Sequence, residues 1–464
     1  MITLIAWKDF KEFTRDGRLY WAGGVVAILF FAALAVGWQR QREIASERAV
    51  AQTLDYDSWV HQAKRHPHDA AHQGMHVFKP EPPLSIFDPG IDPYVGSSIW
   101  LQAHRESELK FRPAQDATGL QRLGNLSGAW VLQVLGPLLV IILGFNAFAG
   151  ERERGTLRQT LSLGVSYRQL LWGKALALAF SLTVLLAPGL LVAAVTVAFG
   201  AVGGAPGGAF LRIGILAAGY AVYLGTAIFV VLAVSAKAPS SRVSLVTLLG
   251  LWIAVAILAP RITADLSRLW YPSPSRSEFD TVLDSDLKSA YRNAWIENFN
   301  VATRWGAELP LDKWGIALRV DDHAGYGVMD RHFEELWDTF ARQQRAQEWA
   351  GIVAPILSVQ AFSMAVAGTD FAHHRDFSEA AEQQRRLIQD RMSDDLVEHA
   401  DPLGGKHFTY QAGADLWKSI PEFHYQTPSV VWALYQCWRS LATLCAGFCL
   451  ALAAAYAAIS RRSV

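Results

Sequence analysis

Six stretches of this chain are apolar for long enough to cross a lipid bilayer, and this limits the fold before any other feature is read. A spanning helix needs roughly 20 apolar residues at about 1.5 Å rise each. The runs that qualify are 19–38, 129–149, 175–199, 209–236, 243–261 and 429–459. In hydrocarbon every backbone polar group must be satisfied internally, so such runs enter the membrane as helices. The expected fold class is an all-α polytopic membrane protein with six transmembrane helices. The first run does not read as a cleavable signal peptide, because a long, partly acidic segment precedes it and no small-residue cleavage site follows.

Composition supports this reading. The 464 residues are 52% hydrophobic and 18% charged, against about 25% charged in an ordinary soluble protein. The formal net charge is +0, which excludes a nucleic-acid signature for the whole chain. The cysteines Cys437, Cys445 and Cys449 all lie in the last apolar run, so no disulfide framework is expected in the polar segments.

Basic residues in short connections set the orientation. Lys8, Lys11, Arg15 and Arg18 precede the first run, Arg152, Arg154, Arg158, Arg168 and Lys174 follow the second, Lys237 and Arg242 separate the fourth and fifth, and Arg461 and Arg462 follow the sixth. The short connection Gly200–Gly208 carries no charge. Both termini and the segment 150–174 are therefore expected in the cytoplasm, with the chain in the cytoplasmic (inner) membrane. Segments 39–128 and 262–428 are then external. Residues 1–18 mix Ile2, Ile5, Trp7, Phe10 and Phe13 with Lys8, Asp9, Lys11 and Glu12, the pattern of an interfacial helix lying on membrane lipid.

The segment between the second and third runs reads Gly150-Glu151-Arg152-Glu153-Arg154-Gly155-Thr156-Leu157-Arg158, with Gly173-Lys174 before the next run. Charge this dense cannot lie in hydrocarbon. Gly155 permits a sharp exit from the span, Thr156 is placed to N-cap a helix starting at Leu157, and Lys174 is placed to snorkel. The pattern resembles the first cytoplasmic loop of type-2 ATP-binding-cassette (ABC) transporter permeases. Glu151, Glu153, Gly155, Thr156, Leu157, Gly173 and Lys174 carry the resemblance. It implies that 150–174 is the coupling loop that receives force from a separate ATPase, and that the helix 1–18 helps to clasp that ATPase. Glu151 and Glu153 are expected to face the ATPase, and Leu157 and Leu161 to pack on the bundle. Arg152 and Arg154 belong to the same site.

The two long segments distinguish this chain from permeases with short external loops. They are expected to form one mainly helical external domain, with helices near 43–65, 277–297, 330–348 and 377–397 and an extended Pro-rich run over 78–94. The stretch 349–368 is nearly long enough to span, but Pro355 interrupts it. It is expected to be a broken helix that dips into the outer leaflet or packs on the bundle, and it resembles the re-entrant hairpin that type-2 exporters carry between their fifth and sixth spans. The segments 66–72, 88–94, 111–116 and 367–374 resemble a subgroup of type-2 permeases with large external domains and no assigned substrate.

His61, His66, His68, His72 and His76 crowd one external stretch. His68, His72 and His76 recur every four residues, so on a helix they would share a face, and with Asp69 they are weak candidates for zinc or copper. Pro67 and Gly74 limit such a helix, and the stretch is read as structural, with no metal expected. Polar residues in the spans are few: Gln133, Asn146, Gln436 and Arg439. No chain of carboxylates crosses the membrane, against a proton-coupled carrier. Gly173-Lys174 is followed by Ala175 and lacks the upstream glycine of a phosphate-binding loop. No catalytic residue is expected, and no cofactor on this chain, since ATP and Mg²⁺ would belong to the partner.

The expected function is the membrane subunit of an ATP-driven ABC exporter. It pairs with a second permease, identical or paralogous, and with an ATPase dimer. The alternative is a mechanotransmitter that moves an envelope partner through its external domain and passes nothing through the bundle. A metal-binding receptor using the histidine stretch is a third class.

Overall fold

The computed structural model describes residues 1–106, 126–199, 206–302, 314–399 and 410–460. The subgroup-like segment 111–116 and most of the connection 200–208 lie outside the described residues. Among the described residues, six helices are long and apolar enough to cross a membrane: Leu19–Val60, Gly128–Glu153, Tyr167–Val192, Gly208–Lys237, Ser241–Trp270 and Trp438–Ser460. They coincide with the six apolar runs, but several extend beyond them. The first continues without a break from hydrocarbon into polar sequence and ends at Val60. The fifth begins at Ser241, where the Ser240 hydroxyl accepts from the Val243 N–H, and runs on to Trp270. The sixth run is two helices, Val430–Gln436 and Trp438–Ser460.

The bundle core is a single apolar cluster. Val140, Leu143 and Phe148 of the second span meet Leu171, Ala177 and Leu178 of the third, Leu232 of the fourth and Leu444 and Ala455 of the sixth, all nearly fully buried. The Trp172 indole N–H donates to the Tyr456 hydroxyl at 2.7 Å, so the end of the last helix lies beside the start of the third span. The N-terminal helix Ile2–Arg15 packs against that same end. The N-terminal helix, the end of the helix Trp438–Ser460 and the charged segment therefore share one end of the bundle, hereafter the loop end.

The opposite end carries an outer unit assembled from both long segments. Its apolar centre joins Trp59, Ala70, Met75, Val77, Ile99 and Leu101 to Phe377, Ala381, Ile388, Met392, Trp417 and Ile420. Helices occupy Arg276–Phe299, Trp314–Ala350 and Phe371–Glu398. Ser275 and Glu278 form a reciprocal capping box at the first of these, and the Asp370 carboxylate caps the third through the His373 N–H. The Pro-rich run is not wholly extended: it holds a 3-10 turn, Pro83–Ile86, and a short helix, Asp92–Val95. An antiparallel ribbon pairs Met75–Phe78 with Ser98–Leu101, with Met75 opposite Leu101.

The stretch 349–368 resolves into a turn and the helix Pro355–Ala367. Thirteen residues rise about 20 Å, short of the hydrocarbon thickness. The helix is buried against the fourth and sixth spans, and Ser358 shares a 2.8 Å hydroxyl contact with Thr443. Its end brings two subgroup-like segments together. Thr369 donates to the Asp88 carbonyl at 3.0 Å, and Ile91 N–H donates to the Thr369 carbonyl at 3.0 Å. Gly90 sits between them at φ +52, where a Cβ would lie 2.3 Å from the Thr369 carbonyl oxygen. Only glycine fits that crossing.

Candidate functional site

At the loop end, the chain leaves the second span through a short helix, Ala149–Glu153, turns at Gly155 and starts a second, Thr156–Ser162. Gly155 has φ +73, the left-handed conformation expected of a sharp exit. Gly155 itself holds the N-cap position, and no side chain caps the helix. Thr156 is therefore not the cap. It is the first helical residue, and its hydroxyl donates back to the Glu151 carbonyl at 3.2 Å.

The charges of this loop point mostly inward. Glu151 is buried, and its Oε1 accepts from Lys174 Nζ at 2.9 Å and from Lys8 Nζ at 3.1 Å. Lys174, also buried, reaches Asp9 at 3.2 Å, and Lys8 lies 3.4 Å from Asp9. Two cations and two carboxylates thus join three segments: the N-terminal helix, the end of the second span and the start of the third. Burial pulls the Lys8 pKa down, but Asp9 and Glu151 outweigh it and hold the ammonium above its ordinary value. A cavity of about 20 Å³, room for one water, adjoins the cluster, and Glu151 Oε2 has no protein partner. Glu151 does not face outward as expected, and Lys174 does not snorkel. A buried lysine leaves two nearby carboxylates no better option than to converge on it.

The neighbouring residues are tied down in the same way. Arg152 donates to the Ala236 and Ala238 carbonyls, both at 2.6 Å, satisfying the C-terminal end of the fourth span. Glu153 accepts from the Ser241 N–H at 3.0 Å and from its hydroxyl, at the N-terminal end of the fifth. A carboxylate there meets unsatisfied N–H groups and the positive end of the helix dipole. Glu153 is exposed, yet both its oxygens are engaged within the chain. Arg154 makes only a 3.7 Å contact with Glu12, and both are largely exposed.

Gly173 explains how the N-terminal helix comes so close. A Cβ at Gly173 would lie 2.6 Å from both Cβ and Cγ2 of Ile5. Arg18 adds a further clasp. Its guanidinium donates to the Ile142 and Leu143 carbonyls and to the Asn146 side chain at 3.0 Å.

The outward face of the loop is set by the residues left over. Leu157 is buried and Leu161 half-buried against the bundle, as expected. Arg158, Gln159, Ser162 and Arg168 are exposed, and Leu163 projects with 81% of its surface open. Gly164 follows at φ +85 and turns the chain back toward Tyr167. Sequence reasoning named neither Leu163 nor the Lys8–Asp9 half of the cluster as site residues. The signal available for the second was an aspartate, Asp9, on the otherwise apolar face of an amphipathic helix, beside Ala6 and Phe13.

The histidine stretch also departs from expectation. Its helix covers only Pro67–Gln73, bounded by the two residues that limited it in sequence. His76 lies on the strand beyond and contacts Asp55 at 3.2 Å, so it does not share a face with His68 and His72.

No curated protein matches the chain. The domain of unknown function DUF3526 matches residues 283–426, most of the second long segment. The ABC-2 family transporter protein matches residues 3–283, which spans the N-terminal helix, the charged loop and the first five spans. With six apolar helices around that loop, the chain belongs to the ABC-2 transporter family and is a multi-pass membrane subunit of an ABC transporter, a family that partners an ABC ATPase.

Proposed function

We propose that this chain is the permease of an exporter driven by a separate ATPase dimer, and that the ATPase docks on the loop helix Thr156–Ser162 and its tip, Leu163. The observation that carries this reading is the division of labour within the loop. Glu151, Arg152, Glu153 and Lys174 bind it to the ends of the second, third, fourth and fifth spans, and Arg158 and Leu163 are left at the surface. A push on such a lever moves several spans together, because the buried ion cluster and the helix-end contacts resist local deformation. ATP binding and hydrolysis on the partner then bias the bundle between two arrangements. On this reading both termini and this loop lie in the cytoplasm and the outer unit lies outside the cytoplasmic (inner) membrane, as the basic residues of the short connections favour. A second permease, identical or paralogous, completes the complex.

Leu163→Asp combined with Arg158→Glu puts charge where an apolar residue projects and reverses a neighbouring cation. This variant is expected to assemble in the membrane and to lose ATPase co-purification and permease-stimulated ATP turnover. Unchanged association and turnover would remove the loop helix from the docking role.

One observation favours mechanotransmission as a second reading. The first span continues as the unbroken helix Gly24–Val60, 37 residues and about 55 Å long, whose far end buries Trp59 beside Trp417 in the outer unit. Tilting of that span would be delivered directly to the outer unit and to an envelope partner on it.

A further inference from the structure

Three imidazoles from two distant parts of the chain converge in the outer unit. His68 and His72 lie one turn apart on the helix Pro67–Gln73, and their Nε2 atoms are 3.1 Å apart. His104 approaches both from the segment after the second ribbon strand, with ring centroids 5.1 Å from each. One nitrogen from each of the three lies within 4.8 Å of the others. Three nitrogens bound tetrahedrally to one ion at the usual zinc–nitrogen length stand about 3.4 Å apart, so small side-chain rotations close the set.

His104 is prepared for such a role in three ways. Its Nδ1 contacts the buried Asp322 carboxylate at 3.1 Å, which places the ring proton on Nδ1 and leaves the Nε2 lone pair for another partner. That Nε2 is buried and has no hydrogen-bond partner. The residue also sits at φ +66, a conformation rare outside glycine. Backbone strain of this kind persists where the surroundings over-determine it. Here the Ala103 N–H donates to the Ala71 carbonyl at 3.0 Å and fastens the strained turn to the histidine helix. A carboxylate that orients a histidine from behind is the usual outer shell of a metal ligand.

We propose that His68, His72 and His104 form a binding site for a divalent transition ion of the zinc or copper class, oriented by Asp322. The donor set is three neutral imidazoles without a thiolate, which suits Zn²⁺ and Cu²⁺ and not the hard, oxygen-seeking cations. His72 is exposed, so the fourth coordination position opens to solvent. The ion would tie the first long segment to Asp322 on the helix Trp314–Ala350 of the second. This replaces the reading of the stretch as purely structural, and it stands independently of the transport reading.

The test uses the full-length chain in detergent, stripped with a chelator and titrated with Zn²⁺ and, separately, Cu²⁺. One equivalent should bind, and Co²⁺ in its place should give the visible bands of a tetrahedral nitrogen site. His72→Ala, at an exposed position that folding does not need, should weaken binding by about 100-fold or more. Asp322→Asn should weaken it about 10–100-fold, the range seen when an outer-shell partner is removed. His76→Ala should leave it unchanged. Absence of stoichiometric uptake of either ion by the wild-type chain, or wild-type affinity in the His72→Ala or His104→Ala variant, would overturn the assignment.

Discussion

Replacing Lys174 by Met removes the cation that Glu151 and Asp9 share and leaves two buried carboxylates facing each other. Truncating one partner of a buried ion pair costs about 3–5 kcal/mol, mostly as the penalty of the charge left behind. Lys8 still reaches both carboxylates, but its side chain is 61% exposed and its attraction is screened by water. The lower end, about 3 kcal/mol, is therefore expected. The structure relieves it most easily by lifting the N-terminal helix, which takes Asp9 into water. At about 1.4 kcal/mol per decade, the lifted population rises about 100-fold. A cysteine at Ala6, on the buried face of that helix, reports the lifting on a background without Cys437, Cys445 and Cys449. Its thiol labelling rate should rise by about that factor in Lys174→Met. Removing all three buried charges, Asp9→Leu with Glu151→Met and Lys174→Met, should restore most of the protection, because an apolar replacement of a buried ion cluster is often neutral. Slow labelling in Lys174→Met, or equally fast labelling in the single and triple variants, would refute the argument that these charges hold the clasp.

Gly173→Val drives a branched Cβ and its two methyl groups toward Ile5 and should destabilise the clasp by about 1–3 kcal/mol, read by the same Ala6→Cys probe. Burial pushes the Asp88 carboxyl up to about 6, against the Ser363 hydroxyl and the Gly90 N–H, which pull it down. The folded chain therefore holds this proton more tightly than the unfolded one. Stability should fall as pH rises from about 4 to about 6, by up to about 3 kcal/mol, and Asp88→Asn should flatten that slope in thermal unfolding. A cysteine at Ser285 should react with an impermeant reagent in intact cells and one at Ser460 should not; labelling at Ser460 would contradict the orientation.

The membrane part was legible because length and hydropathy act over whole segments. Each of the six runs is long enough that only a spanning helix satisfies its backbone. Helix ends were less legible, since a helix does not stop where hydrocarbon stops, and the first span continues through polar residues to Val60. The loop was found by its charge density, but the directions of its charges were not. Whether Glu151 looks outward depends on Lys174 and on Lys8, 143 positions earlier, which the packing of the N-terminal helix at Gly173 and Ile5 brings within reach. The proposed metal site shows the same limit. A four-residue period found His68 and His72 and wrongly continued to His76, because Gly74 ends the helix. His104 lies too far along the chain for any local period to include it. The Met75–Phe78 ribbon was missed for a similar reason: four-residue strands flanked by Gly and Pro resemble loop until their partner is known.

On the proposed reading an ATPase drives this bundle through the loop helix. A photoreactive side chain placed at Leu163 tests it most directly, with matched probes at Ser285 and at Val431, which is 72% exposed near the opposite end. In native membranes the account predicts an ATP-sensitive cross-link to an ABC ATPase from Leu163 and none from Ser285 or Val431. A cross-link from Ser285 or Val431, or no ATPase cross-link from Leu163 while the ATPase co-purifies, would contradict it.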